Sequence, residues 1–76
     1  MEGGPEERIL MVLFMSSAVG RGRAIKIEDL AKKLGFEPSA LDRFLNELSS
    51  LGYLTYTGGL VYLTEKGVLR VLSKFS

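Results

Sequence analysis

Cysteine and histidine are both missing from this 76-residue sequence. Without them there is no disulfide, no thiolate chemistry, no imidazole general base and no zinc site built on nitrogen or sulfur ligands. The nine carboxylates include no recognisable paired acid and base, and no phosphate-binding loop is present, so the chain is not expected to be an enzyme. No metal, no cofactor and no small-molecule ligand is expected. Long apolar runs are lacking too. The longest, Ile9 to Met15, covers seven residues, too few to cross a membrane, and it has neither the basic flank nor the small-residue cleavage site of a signal peptide. A cytoplasmic location without a membrane partner is the expectation. Excess charge of one sign is also absent: ten Lys and Arg against nine Asp and Glu leave a net +1, short of the strongly basic balance of polyanion-binding domains. Repeats and low-complexity tracts are not found.

What remains is a sequence 46% hydrophobic and 25% charged, suited to one small domain that buries only about 60% of its unfolded surface. Residues 1–4 read as a flexible N-terminal tail and residues 5–76 as a single domain. Pro5, Glu6 and Glu7 mark a helix start, with carboxylates at the positive dipole end, and the first helix is predicted to run from Pro5 to about Val19. Gly20, Arg21, Gly22 and Arg23 make a basic loop, and Ala24 to Ile27 a brief extended piece. Glu28 to Leu34 form a second helix whose acidic start and basic end complement its dipole. Gly35 fits a left-handed C-cap, with Phe36 as the apolar contact that follows. Pro38 opens a third helix, residues 38–51, in which Leu41, Phe44, Leu45, Leu48 and Leu51 recur at helical spacing. Residues 53–64 read as a β-hairpin turning at Gly58-Gly59. Thr64 is a natural N-cap for a fourth helix with Val68, Leu69, Val71, Leu72 and Phe75 on its apolar side.

The order is thus α1-β1-α2-α3-β2-β3-α4, an α+β arrangement dominated by helix. Three stretches give it a specific likeness. Ile27-Glu28-Asp29-Leu30-Ala31-Lys32-Lys33-Leu34-Gly35-Phe36, Pro38 to Leu54 ending in Leu-Gly-Tyr-Leu, and Leu63-Thr64-Glu65-Lys66-Gly67 together resemble the winged helix-turn-helix DNA-binding domains, in particular small bacterial and archaeal transcription regulators. The resemblance covers nearly the whole chain. It implies a three-helix core with a β-hairpin wing, a DNA-binding transcriptional regulator, double-stranded DNA as partner, helix 3 in the major groove and the wing near the backbone.

On that footing the outward face of helix 3 supplies the base-contact candidates Ser39, Ala40, Asp42, Arg43 and Asn46. A guanidinium can bond guanine O6 and N7 as a pair, and an amide can do the same with adenine N6 and N7. Asp42 can only accept, for instance from cytosine N4, and otherwise repels phosphate. Arg43 can instead pair with Glu47 one turn on. Backbone-contact candidates are Arg21 and Arg23 in the loop, Lys32 and Lys33 on helix 2, and Tyr56, Thr57 and Gly58 on a wing whose tip carries no cation. Lys66, Arg70 and Lys74 form a stripe on helix 4 that reads as a solvated face.

Apolar side chains on the terminal helices exceed what a lone core of this size covers. Leu10, Met11, Phe14, Met15, Leu69, Leu72 and Phe75 are therefore expected to build a homodimer interface. The alternative function is a winged-helix protein-protein interaction module that uses the same apolar faces without sequence-specific DNA binding.

Overall fold

Helix α1 (Pro5–Met15) begins as expected, with proline in its first turn followed by Glu6 and Glu7. It ends earlier than Val19. Ser17 takes a left-handed conformation (φ 59°), its amide bonds Phe14 O at 3.0 Å and the Ala18 amide bonds Leu13 O at 2.9 Å. This pair closes a helix through a left-handed residue, usually glycine. With serine in that place, the stop leaves no glycine signal. The early end lets residues 18–20 run beside the sheet: Leu63 N donates to Ala18 O at 2.7 Å and Gly20 N to Leu63 O at 3.1 Å. The computed structural model describes residues 4–74. The expected tail residues 1–3, and the interface candidate Phe75, lie outside them.

A 3-10 turn over Arg21–Arg23 leads into β1 (Ile25–Lys26), followed by α2 (Ile27–Leu34), α3 (Pro38–Ser50), β2 (Leu54–Thr57), β3 (Leu60–Leu63) and α4 (Glu65–Ser73). The three strands form one antiparallel sheet in the order β1-β3-β2. Gly58 and Gly59 both have positive φ, 60° and 76°, the requirement of the two-residue turn that matches strand twist. Along the hairpin Leu54, Val61 and Leu63 are buried, whereas Thr57 and Leu60 are exposed and Thr55 and Tyr62 only partly covered. The sheet thus turns one face to the core and one outward.

The core joins Ile9 and Leu13 of α1, Leu30 of α2, Leu41 and Leu45 of α3 and the inner face of the sheet. Helix α1 sits in the middle, touching α2, α3, α4 and β3. That placement corrects the expected interface. Leu10 is only 3% exposed, and Met11 and Phe14 pack against the core. Of the seven expected interface residues, Met15, Leu69 and Leu72 remain exposed. An apolar helix enclosed on several sides needs more than one apolar stripe, which accounts for Leu10, Met11 and Phe14 but not for the exposed Met15.

The basic stripe of α4 lies at the surface, with Lys66 and Lys74 exposed, but its side chains also tie elements together. Glu7 accepts from Arg70 at 2.9 Å and lies 3.5 Å from Lys74, which ties α4 to α1. Lys66 reaches back to α3 and donates to Leu51 O at 2.8 Å. Its neighbours do the same work on the next residues. Thr64 Oγ1 donates to Gly52 O at 2.6 Å while accepting from Gly67 N at 3.2 Å, and Thr64 N donates to Tyr53 O at 3.1 Å. Two of the recognisable stretches, Leu51 to Leu54 and Leu63 to Gly67, are therefore halves of one interlock. The carbonyls at and just beyond the end of α3 have no intrahelical partner, and the start of α4 supplies partners for them. Gly67 is buried against Tyr53 so closely that a Cβ there would overlap the Tyr53 carbonyl.

Candidate nucleic-acid interface

Helix α3 is two-faced because its leucines recur at helical spacing. Leu41, Leu45 and Leu48 are buried, so Ser39, Ala40, Arg43, Asn46 and Glu47 must face outward, and all five are exposed. Ser39, Arg43 and Asn46, spaced i, i+4, i+7, lie along one line of the helix. The turn after α3 sends β2 back along it, and Tyr56 of β2 meets Asp42 in the N-terminal half of the helix. The same fold-back carries the Thr57 to Leu60 wing tip toward that half. Ile27 N at the head of α2 donates to Gly59 O at 2.9 Å, which fixes the tip from the other side.

Arg43 makes no ion pair among the described residues, where Glu7 with Arg70 and Lys74 forms the salt bridges. The possible pairing with Glu47 is not formed. The five N–H donors of Arg43 are thus presented from an exposed side chain on a rigidly held helix. Lys32 and Lys33 are exposed in the last turn of α2, the end that leads into α3.

Asp42 and Tyr56 occupy different roles from those expected. Tyr56 donates its phenolic proton to Asp42 Oδ1 at 2.6 Å, and Asn46 Nδ2 donates to Asp42 Oδ2 at 3.2 Å. Each carboxylate oxygen accepts one bond from within the domain, so Asp42 is held in place by its neighbours. With its proton committed, the Tyr56 oxygen offers only lone pairs, which a phosphate cannot use. The hydrogen bond to Asp42, with desolvation and the nearby carboxylates of Asp42 and Glu28, pushes the Tyr56 phenol up to about 12. A raised value means that the folded state prefers the protonated phenol, so the stability it contributes is whole below the ordinary value near 10 and is lost as pH rises toward about 12. In an alkaline titration followed by ultraviolet absorbance, Tyr56 should ionise well after Tyr62, and a Tyr56→Phe variant should lose that late step; a late step that survives the substitution refutes the bond.

Arg21 is placed elsewhere. Hydrogen bonds from Thr55 and Arg21 hold the Tyr62 phenol below its ordinary value. Tyr62 alternates with the buried Val61 and Leu63, which puts it and Arg21 on the outer face of the sheet, away from α3. Arg23 is exposed in the same 3-10 turn. The structure therefore gathers Ser39, Ala40, Arg43, Asn46, the Asp42–Tyr56 pair and the wing on one side and leaves Arg21 off it. The tie between Asp42 and Tyr56 was hidden from sequence reading. The one signal for it is that Tyr56 shares the period-2 phase of the inward-facing Leu54 and so points toward α3.

No family model matches this chain, and no curated protein matches it. Among solved structures, TubR from Bacillus megaterium pBM400 is similar, with a TM-score of 0.81 and 28% sequence identity over 97% of this chain and 88% of that one.

Proposed function

We propose, on the premise that this chain is a winged helix-turn-helix domain of the small DNA-binding regulator type, that it acts as a dimeric regulator placing the N-terminal half of α3 in the major groove. The observation that carries this reading is Arg43, exposed and without an ion pair among the described residues, in line with Ser39 and Asn46 on a helix held from behind by buried leucines. Such a guanidinium suits the paired acceptors of guanine. Lys32 and Lys33 contact phosphates beside the start of α3, and the Thr57 hydroxyl and the Gly58 amide contact the backbone from the wing. The wing has no cation, so α3 and α2 carry the electrostatics. The likeness to TubR along nearly the whole of both chains supports a regulator of this kind.

Two copies associate through the apolar side chains left exposed on the terminal helices, Met15 (76%) and Leu69 (61%) foremost, which sets two α3 helices one DNA turn apart. Sedimentation at tens of micromolar is expected to show a dimer that Leu69→Glu converts to monomer. A wild-type monomer at that concentration removes the dimer from the reading.

Selection from randomised duplexes at about 50 mM salt, where phosphate attraction is strong, should enrich an inverted repeat. Arg43→Ala should then weaken binding to the enriched site by about 1–3 kcal/mol and leave unrelated duplexes nearly unaffected. Equal losses on both would show that Arg43 serves phosphates. Retention of no duplex at all would favour the protein-protein alternative.

A further inference from the structure

Resting on the DNA reading above, we propose that Asp42 and Tyr56 are positioning residues that fix the side-chain amide of Asn46 for adenine and link that reading to the wing. An ionised carboxylate accepts hydrogen bonds and cannot donate them. The edge of the Asn46 amide that faces Asp42 Oδ2 at 3.2 Å must therefore be the NH2 edge. This removes the ambiguity that attends an amide with no such partner. One hydrogen of Nδ2 is used, and Asn46 is left with its carbonyl oxygen and its second amide hydrogen, in a fixed order. That acceptor and donor match N6 and N7 of adenine; guanine shows two acceptors in the same place, O6 and N7, and is a mismatch.

The carboxylate can serve as a reference only if it is itself held. Tyr56 holds it from β2 through a bond of 2.6 Å to the other oxygen, a charge-assisted geometry. The three side chains form a relay, Tyr56 to Asp42 to Asn46, that runs from the wing strand to the exposed face of α3. It also explains why a residue that repels phosphate stands on this side of the helix. If Asp42 were there only as a surface charge, removing it would relieve repulsion and strengthen binding to every duplex.

The test compares the wild-type protein with Asn46→Ala, Asp42→Ala, Asp42→Asn and Tyr56→Phe on the selected duplex and on copies with each A·T pair changed to G·C. The wild-type protein should prefer A·T by about tenfold at one position per half-site, and Asn46→Ala should identify that position by losing the preference. Asp42→Ala and Tyr56→Phe should lose it at the same position, with affinity for unrelated duplexes unchanged or, for Asp42→Ala, increased. Asp42→Asn is the sharpest case. Its oxygen can still accept from Tyr56, but it then turns an NH2 group toward Asn46 and reverses that amide, so the adenine preference should vanish although the shape is kept. In the free protein, Tyr56→Phe should shift the Asn46 side-chain amide resonances, which reads the relay without DNA. Unmoved resonances, or adenine preference retained in Asp42→Ala and Tyr56→Phe, overturn the relay while leaving the DNA reading in place. Failure of the wild-type protein to retain any duplex overturns the DNA reading, and the adenine assignment falls with it.

Discussion

Gly67→Ala is expected to lower stability by about 3 kcal/mol or more, at the upper end of the cost of forcing extra atoms into a packed site. The added methyl would overlap the Tyr53 carbonyl oxygen and stand 2.9 Å from its carbon and 3.0 Å from Leu63 Cδ2. Neither neighbour has room to yield. The Tyr53 carbonyl accepts from Thr64 N at 3.1 Å, and Leu63 is fully buried. A chain of this size has a total stability of about 4–11 kcal/mol, so the substitution removes a large share of it. The thermal midpoint, followed by circular dichroism, should fall by about 12–24 °C. A midpoint within about 3 °C of the wild type would mean that α4 can shift away from β2 without loss, and that the interlock is not what holds α3 to α4.

The second large effect separates the two faces of α3. Leu45→Ala should cost about 3 kcal/mol, since Leu45 is fully buried and its removal loses transfer energy and leaves a cavity. Arg43→Ala, two positions away and exposed, should stay within about 0.5 kcal/mol of the wild type. Urea denaturation of both variants measures the contrast. Comparable losses would show that Arg43 supports the fold and would withdraw the functional reading of its free guanidinium. With the expected pattern, a DNA-binding defect in Arg43→Ala can be attributed to the interface.

The elements were legible in the sequence wherever one local rule acted alone. Gly58-Gly59 marked the turn of the wing, Gly35 the end of α2, Pro38 the start of α3, and the leucine spacing of α3 its buried side. Reading failed where distant parts of the chain meet. Ser17 ends α1 because Val19 must lie beside Leu63, a demand that no neighbour of Ser17 expresses. Leu10, Met11 and Phe14 looked like surplus apolar surface, since spacing shows how many faces a helix offers and not how many elements surround it. The site was half legible for the same reason. The exposure of Ser39, Ala40, Arg43 and Asn46 follows from helical period, whereas the capture of Asp42 by Tyr56 depends on β2 folding back along α3 across a separation of 14 residues.

The interlock between the end of α3 and the start of α4 has a bearing on synthesis. Leu51 O waits for Lys66, 15 residues later in the chain, and Gly52 O waits for Thr64. At about 5–20 residues per second on the ribosome, the helix that carries Arg43 and Asn46 emerges about 1–3 s before the residues that close its end. The nascent chain therefore passes through an interval in which α3 can form but the carbonyls at its end still lack the partners that α4 brings.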